Sequence, residues 1–173
     1  MTKLSLRHPA LPAAVVFVLG LATILGAWGF QLIGGYVPCK LCLEERVPYY
    51  IGVPLALIAV LVASPPWVRR VALGIAALVF AYGAYLGTYH AGAEWGWWPG
   101  PTDCGGGAAT ATTAGGLLNQ LNGIRVVSCT EASFRFPAAI WGLSFAGWNA
   151  VVSLALAVVA AIGAIGRREP RAQ

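Results

Sequence analysis

Pro38-Cys39-Lys40-Leu41-Cys42-Leu43-Glu44-Glu45-Arg46 lies between two long apolar runs and holds two of the chain's four cysteines. A helix opening at about Cys39 puts Cys39, Cys42 and Arg46 at successive spacings of three and four residues, on one helical face. The first turn of a helix carries unpaired N–H groups and the positive end of its dipole. A thiolate there is stabilised, and a guanidinium one turn on stabilises it further. What flanks this stretch decides the fold. Upstream, residues 13–33 are interrupted only by Thr23 and Gln31, and about 20 apolar residues cross a hydrocarbon core. A cleaved leader is the rival reading of that run, but its apolar core is normally only about 7–15 residues long. Downstream, residues 46–62 form a second run, with Pro48 in its first turns and Pro54 inside it, where a lost hydrogen bond and a kink are expected.

Composition agrees with a multi-span membrane protein: 58% of residues are hydrophobic and 10% charged, with a mean hydropathy of +0.73. The net charge of +5 does not point to nucleic acid, because no basic stripe is interleaved with aromatic residues. After a tight connector, Ser64-Pro65-Pro66-Trp67-Val68-Arg69-Arg70, a third span covers 71–89, with Gly74, Ala77, Gly83 and Gly87 available for close helix contact. From His90 to about residue 144 the chain turns polar and reads as one long loop. It contains a Gly/Ala/Thr tract at 105–116, and Leu117, Leu118, Leu121 and Ile124 at helical spacing predict a short amphipathic helix, on the membrane surface or packed on the protein. A fourth span covers 145–165.

Charge sets the orientation. Seven of the eleven Lys and Arg residues lie in the N-terminus, the second connector and the C-terminal tail, all on one side if the spans number four; that side is the cytoplasm. Trp95, Trp97, Trp98 and Trp141 gather at the opposite surface, as interfacial anchors do. Cys39, Cys42, Cys104 and Cys129 all fall on that outer side too. An oxidising compartment favours disulfides, and one pair per loop suggests Cys39 with Cys42 and Cys104 with Cys129, although four cysteines allow three connectivities. Structural zinc normally uses two short-spaced pairs, which only Cys39 and Cys42 supply. Haem attachment needs a His where Leu43 stands. Two structural staples are the remaining bland reading. Against them, a C-x-x-C ring is small and removes little unfolded-state entropy, and the helix start with Arg46 is expected to depress a thiol pKa and make the disulfide oxidising. Asp103 opposes thiolate formation at Cys104, and Gly105, Gly106 and Gly107 leave that site open to an attacking thiolate. With no nucleotide, haem or iron–sulfur motif present, a lipid-soluble quinone is the economical electron acceptor beside Arg46.

The four spans, Pro38-Cys39-x-x-Cys42 followed by Glu45-Arg46, Thr88-Tyr89-His90 at the end of the third span, and Cys104 and Cys129 in the second outer loop resemble the DsbB family of bacterial inner-membrane thiol:quinone oxidoreductases. The resemblance covers nearly the whole chain, 1–173, as a single domain. It implies an all-α membrane protein: a four-transmembrane-helix bundle with periplasmic loops at about 34–45 and 90–144, the second carrying a short amphipathic helix, and with both termini cytoplasmic. It further implies that reduced DsbA, a periplasmic thioredoxin-fold partner, attacks Cys104. Cys129 then passes electrons to Cys39, and Cys42 pairs with ubiquinone or menaquinone beside Arg46. His90 matches a family histidine near the quinone. The 105–116 tract and Glu94-Trp95-Gly96-Trp97-Trp98 depart from the best-known members. Two other readings stay open: a vitamin K epoxide reductase-like enzyme, whose redox pair belongs at a later span, and a disulfide-stapled membrane scaffold.

Overall fold

The computed structural model describes residues 10–62, 65–101, 125–126, 128–132, 135–136 and 142–166. Among these described residues, five helices and four two-residue strands follow in the order α1 (Leu11–Leu32), β1 (Tyr36–Val37), α2 (Lys40–Glu44), α3 (Val47–Leu61), α4 (Pro66–Glu94), β2 (Arg125–Val126), β3 (Arg135–Phe136), β4 (Leu143–Ser144) and α5 (Phe145–Ile165). Among the described residues α1, α4 and α5 are long and apolar enough to cross a membrane. Their outward faces are apolar as well, with Leu25, Leu78 and Leu154 exposed. A soluble protein hides such residues; in hydrocarbon they cost nothing.

The expected second span is shorter than its sequence promised. The helix breaks at Glu45–Arg46, and α3 resumes for 15 residues, about 22 Å at 1.5 Å per residue. Pro48 is the cause: it has no N–H for the Glu44 carbonyl, and its ring crowds that carbonyl. At the other end Val62 is extended, before Pro65 and Pro66. Pro54 is accommodated inside α3. The third span, by contrast, is longer than 71–89. It runs on through His90 to Glu94, so the second outer loop begins a turn later than expected. Gly96 stops it: with φ of 73°, its N–H reaches the Ala93 carbonyl at 3.1 Å, and Trp97 N–H reaches Gly92 at 2.9 Å. Those two bonds form the left-handed terminator that glycine allows.

α4 packs along α5 and α3, and α1 closes the bundle against α3 and α5. Phe80, fully buried, sits at its centre. Gly52 of α3 makes room for it, since a Cβ there would meet the Phe80 ring at 2.6 Å, and Gly20 of α1 makes room for Val53, which a Cβ would meet at 2.9 Å. α4 and α5 approach closely at Gly87, where a Cβ would lie 2.7 Å from the Ala150 backbone nitrogen. Gly83 likewise abuts Pro48 and Ser153.

Two strand pairings tie the outer segments together. β1 pairs with β2 in parallel, with Val37 opposite Val126, and β3 pairs antiparallel with β4. Because β1 and β2 run the same way, Cys39, two residues past Val37, and Cys129, three past Val126, emerge on the same side of the pairing. The predicted helix at 117–124, the 105–116 tract, Cys104 and Trp141 lie outside the described residues.

Candidate active site

Cys39 is the N-cap of α2. Its sulfur accepts a hydrogen bond from the Cys42 N–H at 3.3 Å, and the two sulfurs are 2.9 Å apart. Only five residues of helix follow, so the single face expected for Cys39, Cys42 and Arg46 divides at the Glu45–Arg46 break. Cys39 turns inward. It is fully buried with Leu41 and Cys129, and Tyr89 packs against them. The hydrogen bond to Cys42, then burial, push the Cys39 thiol up, while His90 opposes both. The depressed thiol expected from the helix start is therefore not Cys39: five residues make a weak dipole, and desolvation of the charged form outweighs it.

His90 reaches this cluster from the last turn of α4. Its Nε2 is 3.9 Å from the Cys39 sulfur, and the ligand atoms of Cys39, His90 and Cys129 all lie within 4.8 Å of one another. On its other side Nδ1 lies 2.8 Å from Glu45 Oε1. Glu94, one turn further along α4, places Oε1 3.9 Å from His90 Nε2. A Ser128–Thr130 turn, with the Ser128 hydroxyl accepting from Thr130 N–H at 3.2 Å, frames Cys129. Trp98 folds back over the site, stacking on Tyr89 and donating its indole N–H to the Tyr89 carbonyl at 2.8 Å. Trp95 and Trp97 remain exposed, as interfacial anchors would be.

Cys42 and Arg46 face the other way, into a cavity of about 290 Å³ between α1, α3 and α5. Its walls are mostly apolar, Ile24, Phe30, Phe145 and Val152 among them, and Glu45, Tyr49 and Asn149 also line it. Ala22, Gly26, Phe30 and Trp148 form an exposed rim. Arg46 is buried here, donating to Gln31 Oε1 at 2.6 Å and to the Ala27 carbonyl at 3.4 Å, and its guanidinium lies 5.4 Å from the Trp28 ring centroid. Tyr49 donates to Asn149 Oδ1 at 2.8 Å and lies 2.9 Å from the Ser153 hydroxyl. The Asn149 amide nitrogen is buried with no hydrogen-bond partner among the described residues.

A family model described as disulfide bond formation protein DsbB matches residues 9–163. The chain belongs to the DsbB family. A search of curated proteins and a search of solved structures each returned no match. The matched stretch takes in all four cysteines, Arg46 and His90, and membership places this chain in disulfide bond formation as an inner-membrane oxidoreductase.

Within this DsbB-family bundle, the residues singled out from sequence fall into two groups. Cys42 and Arg46 share the cavity, whereas Cys39, Cys129 and His90 share the buried cluster behind it. His90, expected beside the quinone, does not line the cavity, because the extra turn of α4 aims it at the Cys39 sulfur. Glu45 is the residue the sequence reading undervalued. Quoted from the sequence only as the residue before Arg46, it bonds His90 and also lines the cavity. Glu94 was hidden by the early end assigned to the third span, although His90 and Glu94 at i and i+4 before a terminating Gly96 carry a readable signal. Asn149 had no sequence signal beyond being a polar residue in an apolar span.

Proposed function

We propose that this chain reoxidises a periplasmic DsbA-like dithiol protein and passes the electrons to membrane ubiquinone or menaquinone. One observation carries the reading: the Cys39 sulfur lies within 4.8 Å of the Cys129 sulfur and 2.9 Å from the Cys42 sulfur, and Cys42 lines an apolar cavity together with a buried Arg46. That is the order a two-pair relay needs. α3 completes a four-helix bundle with the three longer helices, and the basic connector marks its cytoplasmic end. The cysteines then face the periplasm.

The cavity suits a quinone ring. It is apolar, its rim opens between the lipid-facing helices α1 and α5, and its polar groups are few. Arg46 and the Asn149 amide, which has no partner among the described residues, are donors, which is what carbonyl oxygens require. When bound, the quinone supplies a sink for two electrons. Everything else falls to the chain. Cys104 receives the partner's thiolate, and Cys129, released, attacks Cys39. Cys42 is thereby freed at the cavity wall, where the Arg46 guanidinium stabilises its thiolate. Partners of the DsbA kind sit at about −120 mV, so their reoxidation needs an acceptor of higher potential; the DsbA–DsbB–quinone route is the established instance.

Purified protein mixed with a reduced DsbA-like partner and a soluble quinone analogue is expected to consume the quinone, and Cys42→Ser to stop it. Turnover unchanged in that variant would overturn the reading.

A further inference from the structure

The exchange between Cys129 and Cys39 joins two sulfurs that are both 0% exposed. A thiol attacks as its thiolate, and a sulfur buried this way has no water to take its proton. His90, 1% exposed, is the group in place. Its ring nitrogen and the two sulfurs lie within 4.8 Å of one another, with Nε2 3.9 Å from Cys39. Glu45 Oε1 engages Nδ1 at 2.8 Å. A carboxylate there fixes the tautomer that carries the Nδ1 proton, leaves the Nε2 lone pair toward the sulfurs, and stabilises the imidazolium formed when a proton arrives.

We propose that His90 is the general base for the Cys129-to-Cys39 exchange and that Glu45 is the residue that positions it. The proposal rests on the relay reading above and adds to it the agent of its internal step. The Cys129 S–H bond breaks and its proton passes to His90 Nε2. The Cys129 sulfur attacks Cys39, the Cys39–Cys42 bond breaks as the Cys129–Cys39 bond forms, and Cys42 leaves as a thiolate. One disulfide replaces another, so no electron enters or leaves and no oxidant is needed. The charge lost from Cys129 reappears on Cys42 at the cavity wall, and His90 holds the proton behind it.

The groups facing His90 are Glu45 from the end of α2, Glu94 from α4, and the two cysteines. Arg135 on β3 acts on Glu94. Glu94 Oε2 has no hydrogen-bond partner among the described residues. Glu45 is the closer of the two and is the one hydrogen-bonded to the ring.

The test needs no quinone. The full chain in detergent, with both cysteine pairs oxidised, is mixed with saturating dithiothreitol, quenched in acid at intervals and alkylated. Mass mapping then follows formation of the Cys39–Cys129 bond and release of Cys42. His90→Ala is expected to slow that step about 100-fold or more. In the parent the rate should level off once His90 is neutral; in the variant it should keep climbing about tenfold per pH unit until the thiol ionises. Added imidazole should restore part of the variant's rate. Glu45→Gln should lose less, about tenfold, and level off at lower pH, with Glu45→Asp recovering part of the loss. His90→Gln, which keeps a hydrogen bond to Glu45 but is not a base, should match His90→Ala and guards against a folding defect. A His90→Ala rate and pH profile equal to the parent's would overturn the assignment. So would a loss that leaves the pH profile unaltered and ignores imidazole, since that marks a structural role. If the parent itself forms no Cys39–Cys129 bond, the relay reading fails together with the assignment; if the parent forms it and the His90 variants do so equally well, the assignment alone fails.

Discussion

Arg46 spends its guanidinium on Gln31 and the Ala27 carbonyl, both on α1, and makes no ion pair among the described residues. Arg46→Ala is expected to raise the KM for a soluble quinone analogue about tenfold or more while leaving the dithiol-exchange step unchanged. Asn149→Leu removes the other donor and should raise the same KM; steady-state kinetics with quinone varied checks both. An effect of Arg46→Ala confined to the dithiol step would refute its role. Cys39 makes a separate prediction, in the reduced protein. Its thiol is pushed up by the bond to Cys42 and by burial, so the folded state holds that proton where the unfolded chain releases it, above about pH 8.5. The stabilisation is complete below that value and is lost as pH rises past it. Melting in detergent under reducing conditions should show Tm falling between about pH 8 and 10, and Cys39→Ser should flatten the slope. An identical slope in Cys39→Ser would remove the burial argument.

At the scale of elements, helix ends do the positioning. Arg69, in the first turn of α4, donates to the Ala59 carbonyl at 3.0 Å and the Val62 carbonyl at 2.7 Å, and so closes the end of α3 that has no further turn to bond with. Arg70 does the same for α5 through the Gly166 carbonyl at 2.7 Å. Two basic residues of the connector thus cap helix ends. Arg69→Ala should destabilise the bundle by about 1–3 kcal/mol, more than Arg69→Lys, as read by thermal unfolding; equal effects would show that charge alone matters there. The opposite ends of the helices were the hardest to read from sequence. Pro48 breaks the second apolar run, the third runs on until Gly96 stops it, and each shift moves a functional side chain: Arg46 leaves the face of Cys39, and His90 joins it.

For the whole molecule, the distance between α4 and α5 is set by Gly87 against Ala150. Gly87→Ala should force the helices apart and cost about 1–3 kcal/mol, overcrowding outweighing the helix propensity gained. Gly74→Ala, whose nearest neighbour is the Ala164 Cβ at 4.0 Å, should be neutral or mildly stabilising. Thermal unfolding of the two variants side by side checks the pair, and equal losses would mean that the crossing is not set at Gly87.

The sequence by itself determined a helical membrane protein with three of its long helices nearly in place, the C-x-x-C at a helix start, and the family, because apolar length and cysteine spacing are local properties that survive any packing. Cys42 beside Arg46 was legible for the same reason, being four residues apart. Only the tertiary structure decided which sulfur meets which. The parallel pairing of β1 with β2 carries Cys129 across ninety residues of chain to Cys39, and no local pattern encodes that. It also decided that Glu45 bonds His90, and that Cys39, His90 and Cys129 are buried together while Cys42 and Arg46 line the cavity. Those are outcomes of desolvation: a buried carboxylate, imidazole and guanidinium must each find a partner, and which partner is nearest depends on how the helices meet.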